Sequence, residues 1–97
     1  MGLFAIDVTL ADVGANRTLD LLAYSPVMHK AVASIELSDS FDAQSVVVYT
    51  RSAAVTAVIP PLPDKIPCGD SYLTGVVVTT GAKATGPGHV RWWYHGD

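Results

Sequence analysis

Apolar and polar residues alternate from the start of the chain. Phe4, Ile6, Val8 and Leu10 fall on one face of an extended segment and Asp7 and Thr9 on the other, a period of two that predicts a half-buried strand. Turn-forming residues run from Asp12 to Asn16, where Gly14 is able to adopt a positive φ. Leu19, Leu21 and Ala23 then alternate with Thr18 and Asp20, predicting a second strand that ends near Pro26. Ala31, Ala33, Ile35 and Leu37 alternate with Val32, Ser34 and Glu36; strand is the favoured reading, although Ala and Glu also suit a short helix.

Beyond the turn cluster of Ser38, Asp39, Ser40 and Asp42, an unbroken β-branched and aromatic run, Val46, Val47, Val48, Tyr49 and Thr50, predicts a strand covered on both faces. Residues 53–59 follow after so short a connection that an antiparallel hairpin is the natural geometry. Pro60, Pro61, Pro63 and Pro67 deny regular hydrogen bonding, so residues 60–70 read as a stiff, partly polyproline-like crossover or arm. Residues 72–80 are rich in Val and Thr, with Gly75 suggesting a bulge or a close backbone approach. Gly81, Gly86, Pro87 and Gly88 define a flexible glycine-rich hairpin loop over residues 81–88. Val90, Trp92 and Tyr94 then alternate with Arg91, Trp93 and His95. The sum is an all-β chain: one antiparallel β-sandwich or small barrel of about seven strands in a single domain, residues 1–97.

Composition changes this picture in one respect. Only 15% of the 97 residues are charged while 49% are hydrophobic, against a norm of roughly 25% charged. A folded chain of 10.2 kDa has a surface on the order of 5,300 Å² to keep in water. Neighbouring protein covering part of that surface would resolve the mismatch, which predicts a subunit of a larger assembly, with a homo-oligomer or a major structural protein as partner.

Charge and cysteine content exclude other partners. The six basic residues are scattered and the net charge is −3, so no positive stripe offers itself to a phosphate backbone and nucleic acid is not expected as a ligand. No apolar run approaches about 18 residues, so no spanning helix and no membrane partner are predicted. The apolar start of the chain lacks a basic flank and predicts no export signal. Cys68 is the one cysteine, which removes an intrachain disulfide and points to a reducing compartment.

Candidate chemistry is thin. A nucleophilic Cys68 would need one of His29, His89 or His95 beside it, but it lies between Pro67 and Gly69 with no helix start to lower its pKa; a buried apolar thiol is the simpler reading. His89 and His95 are six positions apart, about 20 Å along a strand, too far to share a metal ion. The Asp39 and Asp42 carboxylates are explained by turn hydrogen bonds, and the loop around Lys83 lacks the Gly-Lys-Ser/Thr ending of a phosphate loop. No catalytic residue, metal site or cofactor is therefore assigned, and the chain is not expected to be an enzyme.

The unusual local feature is Arg91-Trp92-Trp93-Tyr94. Adjacent Trp side chains on a strand point to opposite faces, so one can anchor the core while the other emerges outside. Trp and Arg are enriched in interface hot spots. These four residues, with Pro60, Pro61, Leu62 and Pro63 of the proline arm, form the candidate interface. Small, cysteine-poor β domains rich in Val, Thr, Ala and Gly resemble, in general character, the capsid decoration, tail and connector proteins of bacteriophage particles. That compositional resemblance implies a structural protein of the virion, assembled in the host cytoplasm. The alternatives are a carbohydrate-binding module using Trp or Tyr as a sugar platform, and an inhibitor or regulatory domain presenting the proline arm.

Overall fold

The computed structural model describes residues 2–96; positions 1 and 97 of the expected domain span lie outside the described residues. Seven strands occur among them: β1 (Gly2–Leu10), β2 (Thr18–Asp20), β3 (Ala31–Leu37), β4 (Ala43–Thr50), β5 (Val55–Val58), β6 (Ile66–Thr80) and β7 (Gly88–Gly96). All ladders are antiparallel. The hydrogen-bonded path runs β1-β7-β3-β6-β4-β5, with β2 also on β6. The all-β antiparallel expectation holds.

The organising element is β6, which is 15 residues long and serves two ladders. Its first half, residues 66–72, pairs with β3, and its second half, residues 73–80, pairs with β4 and β2. Inward side chains from both ladders, including Val32, Ile35, Val46, Val48, Val76, Val78, Val90 and Trp92, form one apolar cluster. The expected arm over residues 60–70 is shorter than its prolines imply, because Ile66 and Pro67 already pair with Ile35 and Ser34. The first half of β6 has a ladder neighbour on one side only, so a residue without an N–H is tolerated there. Gly69 and Asp70, at φ of 72° and 52°, then redirect the strand within the irregular stretch between Pro67 and Ser71.

Four local expectations change. The second strand stops at Asp20, whose carboxylate accepts from the Leu22 N–H and starts a 3₁₀ turn over Leu21–Tyr24; the same carboxylate accepts from the Val76 N–H of β6. In β3 the alternation breaks at Ala33, which interrupts the register between Val32 and Ser34, so that Val32 and Ile35 both face the core. The valine run of β4 is covered on one face: Val46, Val48 and Thr50 are buried while Tyr49 is 42% exposed. The loop over residues 81–88 is no hairpin, because β6 and β7 are not ladder neighbours. It is also pinned, since the Lys83 N–H donates to the Asp42 carboxylate and the Thr85 N–H to the Ser40 carbonyl. A Cβ on Gly88 would come within 2.4 Å of Val13, so glycine is required there by close packing.

Gly75 behaves as its position suggested. Tyr49 stands opposite Gly75 and Thr50 opposite Leu73, leaving Thr74 as the extra residue of a bulge, and the Tyr49 ring lies 3.4 Å from where a Gly75 Cβ would stand.

Candidate assembly surface

The register of β1, β7 and β3 sorts their side chains into rows across the sheet. On the inner face the rows are Phe4, Tyr94 and Val32; Ile6, Trp92 and Ile35; and Val8, Val90 and Leu37. On the outer face Asp7, Arg91 and Glu36 form one row, with Ala5, Trp93 and Ser34 in the next. The opposite orientation of the two Trp residues follows from this: Trp92 is wholly buried and Trp93 lies half-buried on the outside.

Trp92 therefore leaves the candidate interface. It fills the core, and its Nε1 has no hydrogen-bond acceptor among the described residues. Arg91 stands exposed and holds the Asp7 carboxylate in a bidentate pair at 2.7 and 3.2 Å. That pair keeps Asp7 below the usual carboxylate range, chiefly through the hydrogen bond. Tyr94 is half-buried, with the Phe4 ring 5.9 Å away.

The two segments singled out in the sequence meet around Trp93. Its Nε1 donates to the Glu36 carboxylate, and the Lys65 ammonium stands 4.2 Å from the ring centre, within cation–π range. Lys65 and Glu36 also line a groove of about 840 Å³ to which Pro60, Leu62 and Pro63 contribute. Leu62 is half-buried, whereas Pro60, Pro61 and Pro63 are exposed. A sugar stacking on Trp93 would have to displace Lys65 from that ring.

The histidines and the thiol are dispersed. His89 lies 3.1 Å from the Thr9 hydroxyl and His95 2.7 Å from the Asp70 carboxylate. Cys68 is buried, and burial pushes its thiol up to about 12, so it keeps its proton near neutrality. Among the described residues no group of three or more His, Cys, Asp or Glu converges as a metal site would require.

One surface escaped the sequence reading. The Phe4, Ile6, Val8 and Leu10 face was expected to be half-buried, yet only Leu10 is buried; Phe4 is 52% exposed, Ile6 37%, and Leu3 on the other face 49%. Phe4 and Ile6 stand on the core side of the sheet at its margin, beyond the point where the core covers them. Alternation reports which face points inward and carries no information on how far the opposing layer extends.

No family model, curated protein or solved structure matches this chain.

Proposed function

We propose that the protein is a non-enzymatic structural subunit of a larger assembly, of the kind that decorates or connects bacteriophage particles. The carrying observation is apolar exposure at both ends of the sheet in a chain with few charges. Leu3, Phe4 and Ile6 are exposed on β1, and Val55 and Ile59 on and beside β5 at 57% and 70%. Large apolar side chains grouped at sheet margins mark contact surfaces. The proton held on buried Cys68 and the turn and ladder roles of the carboxylates support a non-catalytic reading.

The test is location. An antibody against this chain, used on density-gradient fractions from cells producing the proposed particles, should find it co-sedimenting with intact particles. Complete particles that lack the chain, with the protein wholly in the soluble fraction, would overturn the proposal.

A further inference from the structure

We infer that two copies of this chain pair through β1, antiparallel and with Ile6 on the two-fold axis, joining their sheets into one. This rests on the assembly reading and names the partner as a second copy. β1 ends the ladder path and pairs with β7 without a shift, from Gly2 opposite Gly96 to Leu10 opposite Gly88. Its other side presents a nine-residue edge, about 30 Å of alternately unpaired N–H and C=O groups. The usual guards against edge pairing are Lys, Pro and bulges, and the sequence of β1, GLFAIDVTL, has neither of those residues and no bulge.

Charge permits self-pairing. Asp7 is the one ionised side chain on the strand and is already held by Arg91 at 2.7 Å, so two edges meet without an unbalanced charge. Symmetry fixes the register. In an antiparallel pair of identical strands, residues with outward backbone groups must face residues of the same parity, so the axis passes through a residue position. An axis at Ile6 pairs the full length of β1, with Phe4 opposite the partner's Val8 and Ala5 opposite the partner's Asp7. An axis at Asp7 would set two carboxylates directly opposite, which is destabilising, and an axis at Ala5 would carry Thr9 and Leu10 past the start of the partner's β1 at Gly2.

The Ile6 register also continues the inner rows. Ile35, Trp92 and Ile6 run on into the partner's Ile6, the partner's Trp92 and the partner's Ile35. The strip is about 30 Å long and about 10 Å deep, roughly 300 Å² of projected edge per copy, below the roughly 800 Å² per partner of a standard interface. The dimer is therefore weak and reversible, held by ladder hydrogen bonds more than by area.

Sedimentation equilibrium from about 1 µM to about 1 mM, combined with cysteine cross-linking, tests this. The full chain should show a monomer–dimer equilibrium, weakened at least tenfold by Ile6→Lys, with near-ultraviolet circular dichroism confirming that the variant stays folded. Mild oxidation should cross-link Ile6→Cys at the axis and leave Val8→Cys monomeric, since the two Val8 positions would lie about 13 Å apart; buried Cys68 stays out of the reaction. Association that persists unchanged in Ile6→Lys, or cross-linking of Val8→Cys in place of Ile6→Cys, overturns the pairing and leaves the assembly reading standing. A wild type monomeric at every concentration overturns self-pairing, and if its incorporation into particles is nevertheless lost in Ile6→Lys, the edge belongs to another protein's strand. If particles contain no copy at all, the assembly reading fails by its own test.

Discussion

The two ends of the sheet, β1 and β5, are both edges with exposed apolar side chains, yet they differ as binding surfaces. β1 offers nine residues and β5 four. Just beyond β5 the chain reaches Pro60 and Pro61, which cannot donate to a ladder and stop the edge from lengthening. Val55 and Ile59 are in fact more exposed, at 57% and 70%, than Phe4 and Ile6, at 52% and 37%. Exposure alone would rank the edges in the wrong order for strand pairing. Length of unguarded backbone is the property that separates them.

The largest loss should follow from removing what holds β1 in place. β1 hangs on β7, and β7 is anchored by Trp92, the largest of the fully buried side chains. Trp92→Ala should cost about 3–5 kcal/mol, a large share of the roughly 5–15 kcal/mol that holds a domain of this size. Because both ladders share one core, β5 should be lost together with β1. Urea unfolding followed by circular dichroism checks this; a loss below about 1 kcal/mol would show that Trp92 is not the anchor.

Cys68 lies on the half of β6 that carries the β1 side of the sheet, so its labelling reports whether that side opens alone. With its thiol pushed from 9.0 to about 12, it should hold about 1,000-fold less thiolate than an unfolded chain near neutrality. A disulfide reagent should modify it at pH 8 only through opening, and denaturant should restore full reactivity. The sign for stability follows. The folded value lies above the unfolded one, so this contribution is intact below about pH 9 and is lost as pH rises toward about 12. Cys68→Ala should flatten that alkaline decline. Fast native labelling would instead show that this half of β6 breathes independently of the β5 side.

The sharpest contrast between the edges is a matched pair of charges. Ile6→Lys on β1 should raise the dimer dissociation constant at least tenfold, about 1.4 kcal/mol, while Val55→Lys on β5 should change it by less than about twofold. Both sites are exposed, so thermal midpoints should stay close to wild type. Sedimentation equilibrium on the two variants decides it, and equal effects would show that unguarded strand length does not separate the two edges. Replacing Pro60 and Pro61 with Thr should then create a second, weaker association by lengthening the β5 edge.

Most of the fold was legible because strand formation here depends on local alternation and turn residues. β4 and β7 lie where their patterns put them, and the opposed Trp92 and Trp93 follow from pleat geometry alone. What was hidden depended on pairing. Pro67 looks like a loop residue until β3 supplies a partner on one side only, and the Ala33 irregularity leaves no trace in a Val/Ala/Ser stretch. The exposure of Phe4 and Ile6 could not be read from period two, since it depends on where the covering layer ends. Of the candidate surface, Trp93 and the proline arm were visible as unusual residues, but their meeting through Lys65 and Glu36 required the fold. The β1 edge was missed because its apolar face looked like core.

A weaker contribution comes from the charge that makes β1 compatible with itself. Arg91 holds Asp7 below the usual carboxylate range, mainly by hydrogen bonding. A lowered folded value means that the unfolded chain takes up the proton first as the solution is acidified. The stabilisation is thus present above the unfolded carboxylate value of 3.8 and fades as pH falls through the lower folded one. Below that point Arg91 is left unbalanced beside the edge, so acid should weaken dimerisation as well as the fold. The pair is exposed to solvent, with side-chain exposures of 48% and 61%, and salt should mute the effect. Asp7→Asn should remove the acid-dependent part of both while leaving Val55→Lys behaviour unchanged. Dimer dissociation constants at pH 7 and pH 3, at low and high salt, provide the check. An Asp7→Asn variant with the same acid response as wild type would show that this ion pair plays no part in keeping the edge neutral.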